Sequence, residues 1–98
     1  MRYKFILTLE YSDWFVNEPL KSQNQIASRL LKIESDAHFG DYKKIDDYIW
    51  ELKWSNGRRI YFSFLPINNI VLLLGGNKNG QDQDINKAKK IFRKYSQI

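Results

Sequence analysis

A chain of 98 residues with 43% hydrophobic residues, including three Trp, six Tyr and six Phe, can fill one packed core but not two. This composition excludes a disordered tail or a collagen-like fibre, and the absence of cysteine excludes disulfide staples and thiolate metal sites. The net charge of +5 is unevenly spread: residues 1–52 carry seven Lys/Arg against nine Asp/Glu, and residues 53–98 carry nine against two. A one-sided basic surface on a small domain is the footprint of a polyanion binder. Lys87, Lys89, Lys90, Arg93 and Lys94 read first as a solvated helix face, whereas Lys53, Arg58 and Arg59 fall on strand positions. The longest apolar run, Ile70 to Leu74, is strand-sized and far from the roughly twenty residues of a membrane helix. The apolar N-terminal stretch is also too short for a signal peptide, so a cytoplasmic location is expected.

Residues 2–9 are rich in β-formers and read as a strand. Ser12 or Asp13 can cap a short helix through about Asn17, which Pro19 ends. From Ser22 to Ser35, Ile26, Leu30 and Ile33 follow the 3.6-residue period of an amphipathic helix, completing a helix hairpin. After a polar loop, Tyr42 to Ile45 reads as a strand, Asp46-Asp47 as a turn, and Tyr48 to Trp54 alternates with period two.

The next connection sets the register. A two-residue Asn56-Gly57 turn would pair Lys53 with Ile60 and Glu51 with Phe62, mixing charge into the core. A three-residue loop, Ser55-Asn56-Gly57, instead pairs Lys53 with Arg59, Glu51 with Tyr61, Leu52 with Ile60 and Trp50 with Phe62. Gly57 suits the left-handed position of that loop. The expected result is a polar sheet face carrying Glu51, Lys53, Arg59 and Tyr61. Pro66 to Asn69 makes a turn, Ile70 to Leu74 is a strand buried on both sides, Gly75 to Gly80 is a loop, and Gln81 to Tyr95 is a helix. The sum is a single α+β domain over residues 1–98: a strand, a helix hairpin, a four-stranded mostly antiparallel sheet and a C-terminal helix.

No metal site or cofactor motif is legible; Gly75-Gly76 with Lys78 lacks the ending of a phosphate loop. His38, the only histidine, lies in a polar loop and reads as a surface residue. The cationic strand pair has two open readings: a surface patch neutralised by Glu51, or a phosphodiester site. In the second, Lys and Arg could stabilise the added charge of a phosphorane while RNA supplies its own 2′-hydroxyl as nucleophile.

The order and spacing of Gly40-Asp41-Tyr42-Lys43, Ile49-Trp50-Glu51-Leu52-Lys53, Gly57-Arg58-Arg59-Ile60-Tyr61-Phe62, Leu72 to Gln81, Asp84-Ile85 and Ala88 resemble the RelE/ParE superfamily of toxin–antitoxin toxins. The closest resemblance is to the HigB-like "addiction module killer protein" branch. It implies a small toxin, monomeric alone, that forms a hetero-oligomer with a cognate helix-turn-helix antitoxin. Such a toxin arrests translation by cutting mRNA on the ribosome, without metal, cofactor or membrane. By position, the resemblance implies catalytic roles for Lys53, Arg59 and Lys78, and RNA contacts for Lys43, Arg58 and Tyr61. Lys53 stands where the family usually has arginine, Asn77 replaces an aspartate, and Asn56-Gly57-Arg58 departs from the usual Gly-Tyr. A non-enzymatic DNA gyrase inhibitor on the same fold is the alternative, as is an attenuated relative acting only by binding.

Overall fold

The computed structural model describes residues 2–96. In chain order it contains β1 (Lys4–Leu7), α1 (Leu9–Val16), α2 (Leu20–Asp36), β2 (Tyr42–Lys44), β3 (Trp50–Lys53), β4 (Arg58–Leu65), β5 (Asn69–Asn77), a 3-10 turn (Lys78–Gly80) and α3 (Gln81–Ser96). The five strands form one sheet in the order β1-β5-β4-β3-β2, antiparallel except where β1 lies parallel to β5. Among the described residues, no helix is long and apolar enough to cross a membrane.

The first strand ends sooner, and the first helix starts sooner, than the sequence suggests. Thr8 is the reason. Its side chain is buried, its hydroxyl donates to the Leu72 carbonyl at 2.8 Å, and its Oγ1 accepts from the Tyr11 amide at 3.0 Å. One residue thus ties the strand end to β5 and caps α1, a role expected of Ser12 or Asp13. Pro19 acts as the N-cap of α2 rather than only as the end of α1, so α2 begins at Leu20. A proline there loses nothing, because that amide has no helical acceptor.

The three-residue hairpin loop is present, with the four expected pairs: Trp50–Phe62, Glu51–Tyr61, Leu52–Ile60 and Lys53–Arg59. Gly57 sits at φ +97°. Leu52, Ile60, Phe62, Ile70 and Leu72 pack under α1 and α2 against Tyr11, Ile26, Ile33 and Phe39. Phe39 anchors this core, with Tyr42 at 4.7 Å and Phe62 at 6.1 Å between ring centroids. The opposite face is not an open polar surface. Ile49, Tyr61, Val71 and Leu73 pack there against Ala88 and Ile91 of α3, so the sheet lies between two helical layers.

The Gly75-Gly76-Asn77 segment, expected as loop, continues β5. A bulge makes this possible: Phe62 pairs with Leu72 and Tyr61 with Leu74, leaving Leu73 as the extra residue. The slip turns Gly75 toward α1 and Gly76 toward α3. A Cβ on Gly75 would lie 2.2 Å from the Trp14 ring, and one on Gly76 would lie 2.1 Å from Asp84 Oδ2. Each glycine admits a helix on its own side.

Candidate functional site

The polar row of the sheet runs along the α3 side. Lys53 on β3 is paired with Arg59 on β4, which is paired with Gly76 on β5. Just past β5, the Lys78 amide donates to the Gly57 carbonyl at 2.9 Å, and the Lys78 stem lies over Gly57. The hairpin end therefore gathers Lys53, Arg59 and Lys78, the three residues singled out as catalytic. Lys43 is exposed on β2, opposite Glu51 on the same face.

Arg58 is not part of this group. Adjacent strand residues face opposite ways, and Arg58 turns toward the helix hairpin. Its Nε is 3.7 Å from Glu18, its Nη1 donates to Gln25 Oε1 at 3.1 Å, and its guanidinium is 5.5 Å from the Trp54 ring centre. Tyr61 is fully buried beneath α3, so its ring is closed to a base in this fold. Burial raises its phenol well above the usual tyrosine range, helped by the charges of Glu51 and Asp84.

Arg59 is largely covered by its neighbours, its side chain 13% exposed, and its Nε lies 3.8 Å from Oε2 of fully buried Glu51. Gln81, opening α3, donates to the same carboxylate oxygen at 2.7 Å. Among the described residues, Glu51 Oε1, Arg59 Nε and Tyr61 Oη have no protein hydrogen-bond partner. A carboxylate buried without full hydrogen bonding depends on its cation. The neutralised-patch reading thus describes Arg59–Glu51 in the folded state, while Lys53 and Lys78 carry no ion pair among the described residues. Among the described residues, no group of three or more His, Asp or Glu gathers there for a metal ion.

Asp84 closes this corner over Gly76, and burial raises its carboxyl above the usual aspartate value. A raised folded value means that folding favours the protonated form. The ionised group therefore costs stability above that value, and the cost fades as pH falls through it. Asp84→Asn is expected to be more stable than the parent at pH 7, with the difference shrinking toward acid pH. Equal urea midpoints at pH 7 would refute this.

Sequence reasoning missed Arg29. From α2 it donates to the carbonyls of Phe39 (3.0 Å), Asp41 (2.5 Å) and Lys53, with its guanidinium 4.4 Å from the Trp54 ring centre. The Asp41 carbonyl also accepts the Lys53 amide at 2.9 Å. Arg29 therefore fixes the 39–41 loop and the end of β3 on which Lys53 stands. Gly40, at φ +73°, leaves room for the Arg29 guanidinium where a side chain would stand. A lysine cannot reproduce the planar fork. Arg29→Lys is expected to cost about 2 kcal/mol, read by urea denaturation.

No family model matches the chain. An uncharacterised protein of Haemophilus influenzae is 33% identical over 87 residues, covering 86% of this chain and 87% of that protein. The RelBE2 toxin–antitoxin complex of Mycobacterium tuberculosis contains a chain of similar structure (TM-score 0.66, 10% identity, 79% of this chain and 99% of that one). The isolated Escherichia coli RelE toxin is also similar (TM-score 0.62, 13% identity, 76% and 83%). So is a doubly arginine-to-alanine-substituted Escherichia coli RelE in the free state (TM-score 0.62, 16% identity, 93% and 99%). At these identities the likeness to the solved structures is one of fold.

Proposed function

We propose that this chain, which belongs to one family with the Haemophilus influenzae protein and carries the RelE toxin fold, is the toxin of a type II toxin–antitoxin pair. It arrests translation by metal-independent, ribosome-dependent cleavage of mRNA in the cytoplasm. The observation that carries this reading is the convergence of Lys53, Arg59 and Lys78 on one hairpin end of that fold. A neutralising antitoxin is the natural partner, supported by the RelBE2 complex among the structural neighbours. The order of the sequence segments supports placement in the HigB-like branch.

In this mechanism Arg59 and Lys78 bind the scissile phosphate and stabilise its added charge. The 2′-oxygen bonds to phosphorus as the bond to the 5′-oxygen breaks. Lys53 either takes the 2′-hydroxyl proton while the leaving 5′-oxygen gains one from water, or gives its proton to that oxygen while the 2′-hydroxyl proton passes to water. Lys43 steers the backbone from the flank.

The close contact of Arg59 with buried Glu51 favours a second reading, an attenuated toxin whose remaining role is binding. Primer extension on a reporter mRNA after brief induction separates the two. Cuts within the translated region support the nuclease. Growth arrest with intact mRNA would point to a gyrase-type target, and neither effect would leave the binding module.

A further inference from the structure

Asp84 takes no part in the phosphate contacts assigned to Arg59 and Lys78, yet the fold is shaped around its carboxylate. It stands half-buried in the first turn of α3. Its Oδ2 occupies the space that a Cβ on Gly76 would fill, and lies 3.3 Å from the place of one on Gly80. Among the described residues it forms no ion pair. The helix dipole favours an acidic residue in that turn, but exposed Asp82 meets the preference without burial. Burial raises the Asp84 carboxyl, so the ionised group costs stability where it stands. A carboxylate kept at a cost to the fold, beside a cationic row, is the arrangement of a reacting group.

Its place in the row is the decisive observation. Lys53, Arg59 and Gly76 are cross-strand neighbours on β3, β4 and β5. Gly76 has no side chain, and the Asp84 carboxylate fills its position on the α3 side. The row therefore runs ammonium, guanidinium, carboxylate, in steps of about 4.8 Å from strand to strand. An in-line displacement puts the attacking and leaving oxygens on opposite sides of phosphorus. With the phosphate on Arg59, Lys53 and Asp84 flank it from opposite sides.

We propose that Asp84 is a further catalytic residue, the base that takes the 2′-hydroxyl proton while Lys53 gives its proton to the leaving 5′-oxygen. The inference rests on reading the chain as an mRNA nuclease, and it selects one of the two proton routes open to Lys53. The 2′-oxygen bonds to phosphorus, the bond to the 5′-oxygen breaks, and Asp84 ends protonated and Lys53 neutral until exchange with water resets both. A carboxyl raised above the usual aspartate range is the stronger base for this step. Glu51 cannot serve, being fully buried between Arg59 and Gln81. Tyr61 is closed beneath α3, its phenol pushed up by burial. The other titratable and charged groups of this corner are Lys87 and Asp82 on the same helix, Lys78 in the 3-10 turn, and Glu51, Arg59 and Tyr61 on the sheet.

The test is single-turnover cleavage of mRNA on programmed ribosomes by the purified chain, from about pH 5 to 8, with Asp84→Asn alongside. The parent rate is expected to rise with pH as the Asp84 carboxyl ionises, above the usual aspartate range. Asp84→Asn is expected to cut about 10²–10⁴-fold more slowly and to lose that acid limb. It should unfold at no lower urea concentration than the parent at pH 7, so the loss of rate cannot come from unfolding. A merely structural role would lower stability and leave the shape of the pH profile unchanged. A folded Asp84→Asn chain that cuts at the parental rate, or one that is slow but keeps the acid limb, overturns the proposal and leaves the nuclease reading standing. A parent chain that cuts no mRNA overturns both.

Discussion

Arg59→Ala is expected to lower mRNA cleavage by about 10²–10³-fold, the usual loss for one preorganised donor to a developing negative charge. The same substitution has a second effect that the sequence alone did not reveal. It leaves Glu51, fully buried and held otherwise by Gln81, without its cation. Breaking a buried pair from one side costs about 3–5 kcal/mol, a large share of the stability of a domain this size. Lost activity in Arg59→Ala would therefore not distinguish chemistry from unfolding. Arg59→Lys does. It keeps a positive charge beside Glu51 while removing the guanidinium fork. Primer extension should show cuts sharply reduced in both variants, with near-parental thermal stability only in Arg59→Lys. A folded Arg59→Lys chain that cuts at the parental rate would remove Arg59 from the site.

The second large effect concerns Gly75. A methyl group there would lie 2.2 Å from the Trp14 ring, between a rigid strand and a helix tied to it through Thr8. Neither side can yield cheaply. Gly75→Ala is expected to cost about 3 kcal/mol, a fall in Tm on the order of 15 °C. Gly76→Ala is the control, because its clash is with the end of the Asp84 side chain, which can rotate away. Calorimetry should rank the two variants in that order. Equal losses would mean that α1 is not held against β5 as described.

The Gly-Gly pair shows where reading the sequence stopped. Followed by Asn77-Lys78-Asn79-Gly80 it reads as a loop, because glycine reports only that backbone freedom or close approach is needed. Both glycines serve close approach, and only the positions of Trp14 and Asp84 reveal it. Arg58 is the opposite case. Period-two alternation already separates it from Arg59, so its contacts with Glu18, Gln25 and Trp54 were open to inference. Arg29 was out of reach, because its three carbonyl acceptors lie 10 to 24 residues away and leave no local pattern.

By itself the sequence determined the helix faces, the strand pairing across Ser55-Asn56-Gly57 and the convergence of Lys53 with Arg59. These follow from periodicity and from keeping charge out of an apolar face, both of which act between near neighbours. The tertiary structure decided that α3 covers the polar face, that Tyr61 and Glu51 are buried, and that Leu73 bulges so that each glycine meets its own helix. Those outcomes depend on how the second helical layer docks, which is set by shape over distances that no short window of sequence records.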